Sequence, residues 1–476
     1  MNQITNPNQL IGVTRSMERG IIVNMGNQVQ VWKRILDILQ VNVSHVEPEI
    51  AKAFGWKTAR GGGVRQPKVS SSGATILPHT CAVIITVPPL VPRAILDQIT
   101  VVWMEDFGFA HVGFHCTPLV SSCSIRRENP YETACVVDLG WSATHIVSTY
   151  KGRLVPGTVR RMSLGARHLI KIWQYHCSYR QWNLMDQEFI LRRCLELSGY
   201  ISMDYKEEMK EAKKWPLGLR ACDRDYILPD YQNTFDGRIR IPPSLERRMR
   251  QEANQGEEMS EEGGDDSDDE SVRAEDMNEE DINDDEEDYA IVQKETKPET
   301  EVDSEEEEDE EALRKRLLKE RQEEEMRKRR LEAEQQILRM SVERFAIPEG
   351  IFRPSDVGLP KEWAGLARSI HQSIQKCPEY LRAAMYRSIY LTGGLSQLEN
   401  LRDRLESELR TLVPCEYEVV IHTTTNPTTH AWMALKTLVK EQSVDEWSIT
   451  QTEWANSSRR GGWRRLAVDH GGTNII

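Results

Sequence analysis

Thirty acidic residues and three basic ones stand between Glu257 and Glu311, and no fold can bury such a run. Unpaired carboxylates are costly to desolvate, and the segment carries too few apolar side chains to offset the entropy of ordering it. It is therefore expected to stay disordered. Its balance of −27 sits in a chain of 476 residues whose total is −14, so everything outside it sums to +13. A basic body with an acidic strap differs from a uniformly acidic protein. The body attracts nucleic acid or acidic partners, while the strap competes with them or seeks basic surfaces. An apolar fraction of 39% is low for a globular chain of this length and agrees with a sizeable segment outside the core.

The flanks must then carry the fold. "GIIVNMGNQVQVWKRIL" predicts a strand leading into an amphipathic helix, "CAVIITVPPL" a buried strand ended by Pro88 and Pro89, and Ala134 to Val147 a strand, a turn and a second strand. "RRMSLGARHLIKIW" predicts a short extended run, Gly165, and a helix with Leu169, Ile170, Ile172 and Trp173 on its apolar side. Strands alternating with helices point to an α/β architecture. The expected organisation is the start of the body over 1–56, a flexible Gly/Ser/Lys loop over 57–75, and the first part of the body over 76–250. The acidic segment and a charged helix follow over 251–335, and the second part of the body with its tail over 336–476.

In the charged stretch "ALRKRLLKERQEEEMRKRRLEAEQQILRM", Glu323 and Arg327, Glu324 and Lys328, and Glu325 and Arg329 stand four apart, which supports a helix. A coiled coil is the competing reading, but Glu324 occupies a position that the spacing of Leu317, Leu331 and Leu338 reserves for an apolar residue. A solvated helix entering the body near Ile337 is expected. Further on, "SIYLTGGLSQLENLRDRLESELRTL" predicts a strand ending at Gly393 and Gly394. A helix with Leu398, Leu401, Leu405, Leu409 and Leu412 on one face follows, opened by a Ser396/Glu399 capping box.

Nine scattered cysteines without a C-x-x-C pair argue against a disulfide framework and against a zinc site. The polar start "MNQITNPNQL" lacks the form of a signal peptide, and no apolar run reaches membrane-spanning length, which leaves cytosol or nucleus as the expected compartment. Two constellations carry chemistry. Asp138 and Gly140 combine a carboxylate able to hold a metal-bound water with a tight turn whose N–H groups can converge on an anion, although Asp-x-Gly is also an ordinary turn. Gly393 and Gly394, opening onto a helix, offer close backbone approach to an anion or a base-ribose group, although such glycine corners often serve packing alone. His145 has no nucleophile at a recognisable spacing and reads as structural. "MRKRR" (Met326 to Arg330) suits nuclear import, and "SSRRGGWRR" (Ser457 to Arg465) suits phosphate contact or docking; a solvated surface is the alternative for each. Ser260, Ser267, Ser271 and Ser304 sit in acidic surroundings that favour acidophilic kinases.

"ACVVDLGWSATHI" resembles the second phosphate hairpin of the actin superfamily, and "YLTGGLSQLENLRDRL" resembles its adenosine-side glycine turn. "DYILPD", "QILRMSVERFAIPEGIFRPSDVGL" and "ELRTLVPCEYEVVIHTTTNPTTHAW" narrow the similarity to one actin-related branch. It runs from about Gly12 to the end, apart from the 57–75 loop and the acidic insertion. The resemblance implies an actin-like (ribonuclease-H-like) two-lobed fold. It also implies that Asp138, Gly140, Thr144 and His145 face phosphate and magnesium while Gly393 and Gly394 border adenine, in a vestigial or weak nucleotide site. Two departures stand out. "ERGIIVNMGNQVQVW" matches a family segment well downstream of the first strand and hairpin that grip the phosphates from the opposite side, so those strands are expected to be missing. Where active relatives place a glutamine to orient the attacking water, this chain has Cys116. No catalytic residue, no protein-held metal and no required cofactor are assigned, with ATP and magnesium as the ligands the site would otherwise take.

The resemblance further implies a non-catalytic subunit of a Swr-type chromatin-remodelling complex, which exchanges a canonical histone for its variant through a separate Snf2-type ATPase. The implied partners are that ATPase, a small zinc-finger subunit and the nucleosome, with no membrane contact. The implied setting is the nucleus, and also the cytoplasm, with effects on transcription and chromosome stability. Two other classes stay open on the residues: an ATPase of the actin, sugar-kinase and heat-shock group, and an acidic histone chaperone.

Overall fold

The computed structural model describes residues 15–39, 78–126, 132–180, 184, 188–229, 236–261, 337–441 and 448–456. The chain divides into two compact units, one of Met1–Asn6 with Lys206–Arg344, the other of Pro7–Tyr205 with Phe345–Ile476. In chain order the strands are β1 (Met17–Glu18), β2 (Ile21–Ile22), β3 (Ala82–Val87), β4 (His111–Cys116), β5 (Thr133–Leu139), β6 (Thr144–Tyr150), β7 (Arg153–Leu154) and β8 (Arg160–Met162). They continue as β9 (Arg224–Ile227), β10 (Arg238–Arg240), β11 (Ile337–Met340), β12 (Ile389–Thr392), β13 (Ile421–Thr423) and β14 (Ser448–Thr450).

The larger unit is built on a six-stranded sheet in the order β13-β12-β5-β6-β7, with β8 also paired to β6. The strand-turn-strand expected over Ala134 to Val147 is its centre, the antiparallel β5–β6 pair in which Val136 opposes Val147. β12 runs parallel to β5 on one side and to β13 on the other. Ala134, Cys135, Val136, Val137, Leu139, Ile146 and Val147 are all buried, apolar side chains on both faces of the pair rather than on alternate positions. Such a pattern belongs to a strand covered on both faces. Successive side chains point to opposite faces. Ile125 of the helix Thr117–Arg126 packs with Ala134, Val136 and Tyr390 on one face. On the other, the Ser373 hydroxyl of the helix Leu366–Gln375 lies 3.1 Å from that of Ser148, whose cross-strand partner is Cys135.

A second sheet of the same unit has the order β14-β4-β3. β3 and β4 are parallel, joined through the helix Arg93–Val101 and a π-helical turn Val102–Asp106. An aromatic knot holds this layer: the Trp103 ring lies 5.4 Å from Trp32, 5.2 Å from Phe107 and 5.1 Å from Phe109. The strand expected over "CAVIITVPPL" forms, but only Val87 of β3 is fully buried. The apolar run reports an outer position in its sheet, where one side of the strand lacks a neighbour among the described residues.

In the smaller unit β9 lies between β10 and β11 in an antiparallel sheet. The charged helix expected to enter the body near Ile337 is corrected at its end: Ile337–Met340 is strand β11. Leu338 and Met340 are buried on one face while Arg339 takes the other, so the period there is two, not 3.6. The helix Pro243–Glu261 runs through residue 251, the expected start of the insertion. The rest of the acidic segment and the charged helix to residue 336 lie outside the described residues. So do the 57–75 loop, the basic clusters at 326–330 and 457–465, and Ser267, Ser271 and Ser304.

The helix after the glycine pair is also corrected. It spans Leu401–Leu412, and Asn400 precedes it with a left-handed φ of 63° and no side-chain cap bond. No capping box forms, because the Ser396 hydroxyl donates to Gly393 O (2.7 Å) within a separate 3-10 turn, Gly394–Gln397. Leu401, Leu405 and Leu409 are buried, as the spacing of three and four demands.

Asp225 of β9 is fully buried and is gripped by Arg339 through 2.8 and 3.3 Å hydrogen bonds, with Arg240 4.0 Å away. Removing one partner of such a pair leaves a buried carboxylate uncompensated. Arg339→Met is expected to lower stability by about 3 kcal/mol. The double variant Asp225→Leu/Arg339→Met should lose less, a difference readable from urea-unfolding midpoints.

Candidate functional site

β5 and β12 run parallel with Thr392 level with Asp138, so both strands end at the same edge of the sheet. At the carboxyl ends of parallel strands, turns leave a crevice where ligands commonly bind. A cavity of about 500 Å³ opens there. Its floor is Asp138, Leu139 and Gly140 on one side and Thr392, Gly393 and Gly394 on the other. Its walls come from Ala166 and Ile170, from Arg192, Leu195 and Glu196, and from Gln397, Leu398 and Thr428.

Gly393 and Gly165 are required by the close approach of backbones. Gly393 has φ 87°, and a Cβ there would lie 2.4 Å from Leu139 O and 2.8 Å from Asp138 Oδ1. Gly165 lies against the hairpin turn, where a Cβ would meet Trp141 O at 2.6 Å. The turn carbonyls of Gly140 and Trp141 accept from Ala166 N–H (3.2 Å) and Arg167 N–H (2.9 Å), the first residues of the helix Ala166–Arg180. Gly140 N–H donates to Ala143 O (3.2 Å), and Gly393 N–H to Pro427 O (3.1 Å). The N–H groups of Gly140, Gly393, Ala166 and Arg167 therefore already have acceptors inside the protein.

Thr392, Asp138, His145 and Arg161 form one row across β12, β5, β6 and β8, since each is the register partner of the next. Burial pushes the Asp138 carboxyl up to about 6. Burial, with Arg161 beside it, pushes His145 down to about 4. Burial first, then the Asp138 charge, pushes the Cys116 thiol up to about 12. At neutral pH His145 is uncharged and Cys116 is a thiol.

Of the residues singled out in the sequence, Asp138, Gly140, Gly393 and Gly394 line the cavity. Thr144 and His145 lie outside that lining. The Thr144 hydroxyl is buried and donates to Leu164 O (2.9 Å), and His145 is buried beneath the turn row. Trp141, Arg192, Glu196 and Gln397 are lining residues that the sequence analysis did not single out. Arg192 lies over the Trp141 ring at 5.6 Å and is held by Glu196 at 2.7 Å. The i, i+4 spacing of Arg192 and Glu196 is visible in the sequence, but nothing there says that this face of the helix Glu188–Ser198 borders a cavity.

The family model described as Actin matches residues 1–460. The chain belongs to the actin family. This actin-family chain is 25% identical over 464 residues to Actin-like protein ARP6 of Cryptococcus neoformans, covering 95% of this chain and 73% of that protein. It is 25% identical over 385 residues to Actin-related protein 6 of Arabidopsis thaliana, covering 80% and 76% of the two chains. Against Actin-related protein 6 of Oryza sativa subsp. japonica it is 24% identical over 449 residues, covering 92% and 82%.

Membership implies a nucleoside triphosphate with magnesium at the crevice, and the side chains of the described lining offer its phosphates little positive charge. Among the described lining residues Arg192 is the one cation, and it is already engaged by Glu196 and Trp141. Among the described residues no group of three or more His, Cys, Asp or Glu is placed to hold a metal ion.

Two outcomes follow. Gly393→Ala is expected to cost about 2 kcal/mol or more through strain at positive φ and the contact with Leu139 O. Gly394→Ala, whose Cβ would meet only Thr428 Cγ2 at 3.7 Å, should be nearly neutral in the same thermal melts. The raised Asp138 pKa means the native state holds a proton that the unfolded chain releases, so this group's contribution is full below about pH 4 and lost as pH rises through about 6. Asp138→Asn should therefore gain stability relative to the parent, by roughly 1–3 kcal/mol, between urea midpoints taken at pH 4.5 and pH 7.5.

Proposed function

We propose that this actin-family chain is a non-catalytic subunit of a Swr-type chromatin-remodelling complex, in which a separate Snf2-type ATPase drives exchange of a canonical histone for its variant. The observation that carries the non-catalytic reading is the inward commitment of the crevice. The N–H groups of Gly140, Gly393, Ala166 and Arg167 donate to protein carbonyls, and the one cation among its described lining residues is paired. Hydrolysis needs donors aimed at developing charge and a base that holds water. Cys116, a neutral thiol, supplies neither.

The complex is supported by similarity, over most of the chain, to proteins named Actin-related protein 6 or ARP6. The charge distribution fits the setting. A body of +13 suits nucleosomal phosphates in a salt-dependent way, and a segment of −27 suits basic histones. A small zinc-finger subunit is the expected direct partner within the complex. The protein acts in the nucleus, with a cytoplasmic pool. Among the described residues no helix is long and apolar enough to cross a membrane.

Affinity purification with mass spectrometry tests the assignment. A Snf2-type ATPase and a zinc-finger protein should co-isolate, and deletion of residues 257–311 should weaken histone binding while leaving subunit assembly intact. A chain that purifies alone and turns over ATP, with turnover abolished in Asp138→Ala, would refute the proposal.

A further inference from the structure

Three guanidinium groups converge on one imidazole at the start of the helix Ala166–Arg180. Burial first, then the charges of Arg167, Arg19 and Arg161, pushes His168 down from its ordinary value. The three cations come from separate elements: Arg167 from the helix itself, Arg161 from β8, and Arg19 from the turn between β1 and β2. Arg161 Nη2 donates to Arg19 O (2.9 Å), which ties that turn to the sheet. The turn holds Arg19 at φ 50° and Gly20 at φ 78°. Two left-handed positions in a two-residue hairpin turn favour Asn followed by Gly, so a long cationic side chain stands where backbone preference selects against it. Strained positions of this kind cluster at functional sites, and here the strained residue adds to a concentration of like charge.

The helix continues the surface. Its fifteen residues, ARHLIKIWQYHCSYR, include no carboxylate. Lys171, one turn beyond Arg167, is exposed and donates through Nζ to the neutral Gln174 Oε1 (3.0 Å), so its charge is not cancelled there. Four and eight residues further on stand Tyr175, 59% exposed, and Tyr179, 93% exposed. The spacing of four keeps these side chains along one side of the helix. Leu169, Ile170 and Trp173, on the other side, are buried. From Arg167 to Tyr179 the stripe is about 18 Å long. Of the carboxylates on nearby elements, Glu188 is taken by Arg15, and Glu18 stands exposed beside Arg19 in the chain.

We propose that this stripe is a nucleic-acid surface that takes the phosphodiester backbone of duplex DNA, with Arg19, Arg161, Arg167 and Lys171 on phosphates and the Tyr175 and Tyr179 hydroxyls extending the contact. Guanidinium forks match the paired oxygens of a phosphate. Tyrosine hydroxyls are common donors to the DNA backbone, and contacts of this kind read no sequence. A duplex carries one phosphate per about 3.4 Å on each strand, so the stripe spans roughly five of them. An acidic peptide meets the same cations, but leaves the tyrosines at the far end without a regular row of acceptors. The inference rests on the proposed nucleosome contact and names the face that makes it.

The test is fluorescence anisotropy of a labelled duplex of about 20 base pairs and arbitrary sequence with the full chain, over about 50 to 200 mM salt, with polyglutamate as competitor. Duplex binding is expected, with an affinity that falls as salt rises. Arg19→Asn/Lys171→Gln should weaken it about tenfold and reduce the logarithmic salt slope by about 1.8, two phosphate contacts at about 0.9 each. Asparagine suits the left-handed turn, so the melting temperature of that variant should hold or rise. Tyr175→Ala/Tyr179→Ala should weaken binding about threefold with the slope unchanged. Arg402→Gln/Lys440→Gln, which removes the same charge from other helices, should leave affinity within about twofold. No duplex binding, an equal loss in the Arg402/Lys440 variant, or displacement of the duplex by polyglutamate at equal charge overturns the inference. Duplex binding that the stripe variants retain in full sinks this inference and leaves the proposed nucleosome contact standing. Failure of the remodelling subunits to co-isolate, with duplex binding lost in the stripe variants, sinks the broader reading and supports this surface.

Discussion

The parallel pairing of β5 with β12 sets everything at the crevice, because it brings the ends of two strands 254 positions apart in the chain, Asp138 and Thr392, to the same level. Both strands must then turn at one edge, and their turns meet. Gly393 approaches Leu139 O so closely that no side chain can stand between them. The cavity is the space left where these two turns diverge, and its floor is as rigid as the buried sheet that supports it.

A second set of contacts fixes the far wall. Ile201 N–H donates to Glu399 O (3.0 Å), and the Asn400 amide donates to Ile201 O (3.2 Å). Arg404 donates to Met203 O (2.7 Å), Ser202 O (3.1 Å) and Glu349 Oε1 (3.3 Å), stitching the segment after the helix Glu188–Ser198 to the start of Leu401–Leu412. Desolvation outweighs the arginine charges at Glu349 and pushes its carboxyl up to about 7. Buried pairs of this kind add little net stability but penalise any arrangement that would separate them. Arg192, Leu195 and Glu196 are thereby held over the cavity.

Much of the architecture was legible because packing leaves a periodic trace. The apolar runs of β5 and β6 and the leucine spacing of Leu401, Leu405 and Leu409 say which faces are buried without reference to any partner. Local charge and capping patterns were less reliable. Ser396 and Glu399 have capping-box spacing, yet the left-handed Asn400 delays the helix and leaves Ser396 to a tighter turn. "ILRM" continues a helical charge pattern in sequence, yet buried Asp225 on a distant strand draws Arg339 into a ladder and imposes a strand. At Arg339 a non-local contact outweighs a local preference of a few tenths of a kcal/mol, whereas at Ser396 one local turn displaces another.

By itself the sequence determined the elements that bury apolar side chains, the two glycine corners, and the acidic segment that no core can absorb. It did so because burial and backbone conformation are properties of short stretches and leave their mark in residue type. Tertiary structure alone decided that Asp138 and Gly393 come together, that Thr144 and His145 are buried outside the cavity lining, and that Trp141, Arg192 and Glu196 belong to it. It also decided that the Gly393 and Ala166 N–H groups already have acceptors. Whether a donor is free depends on which carbonyl lies about 3 Å away, and for Gly393 and Ala166 that carbonyl belongs to a residue remote in the chain, Pro427 and Gly140.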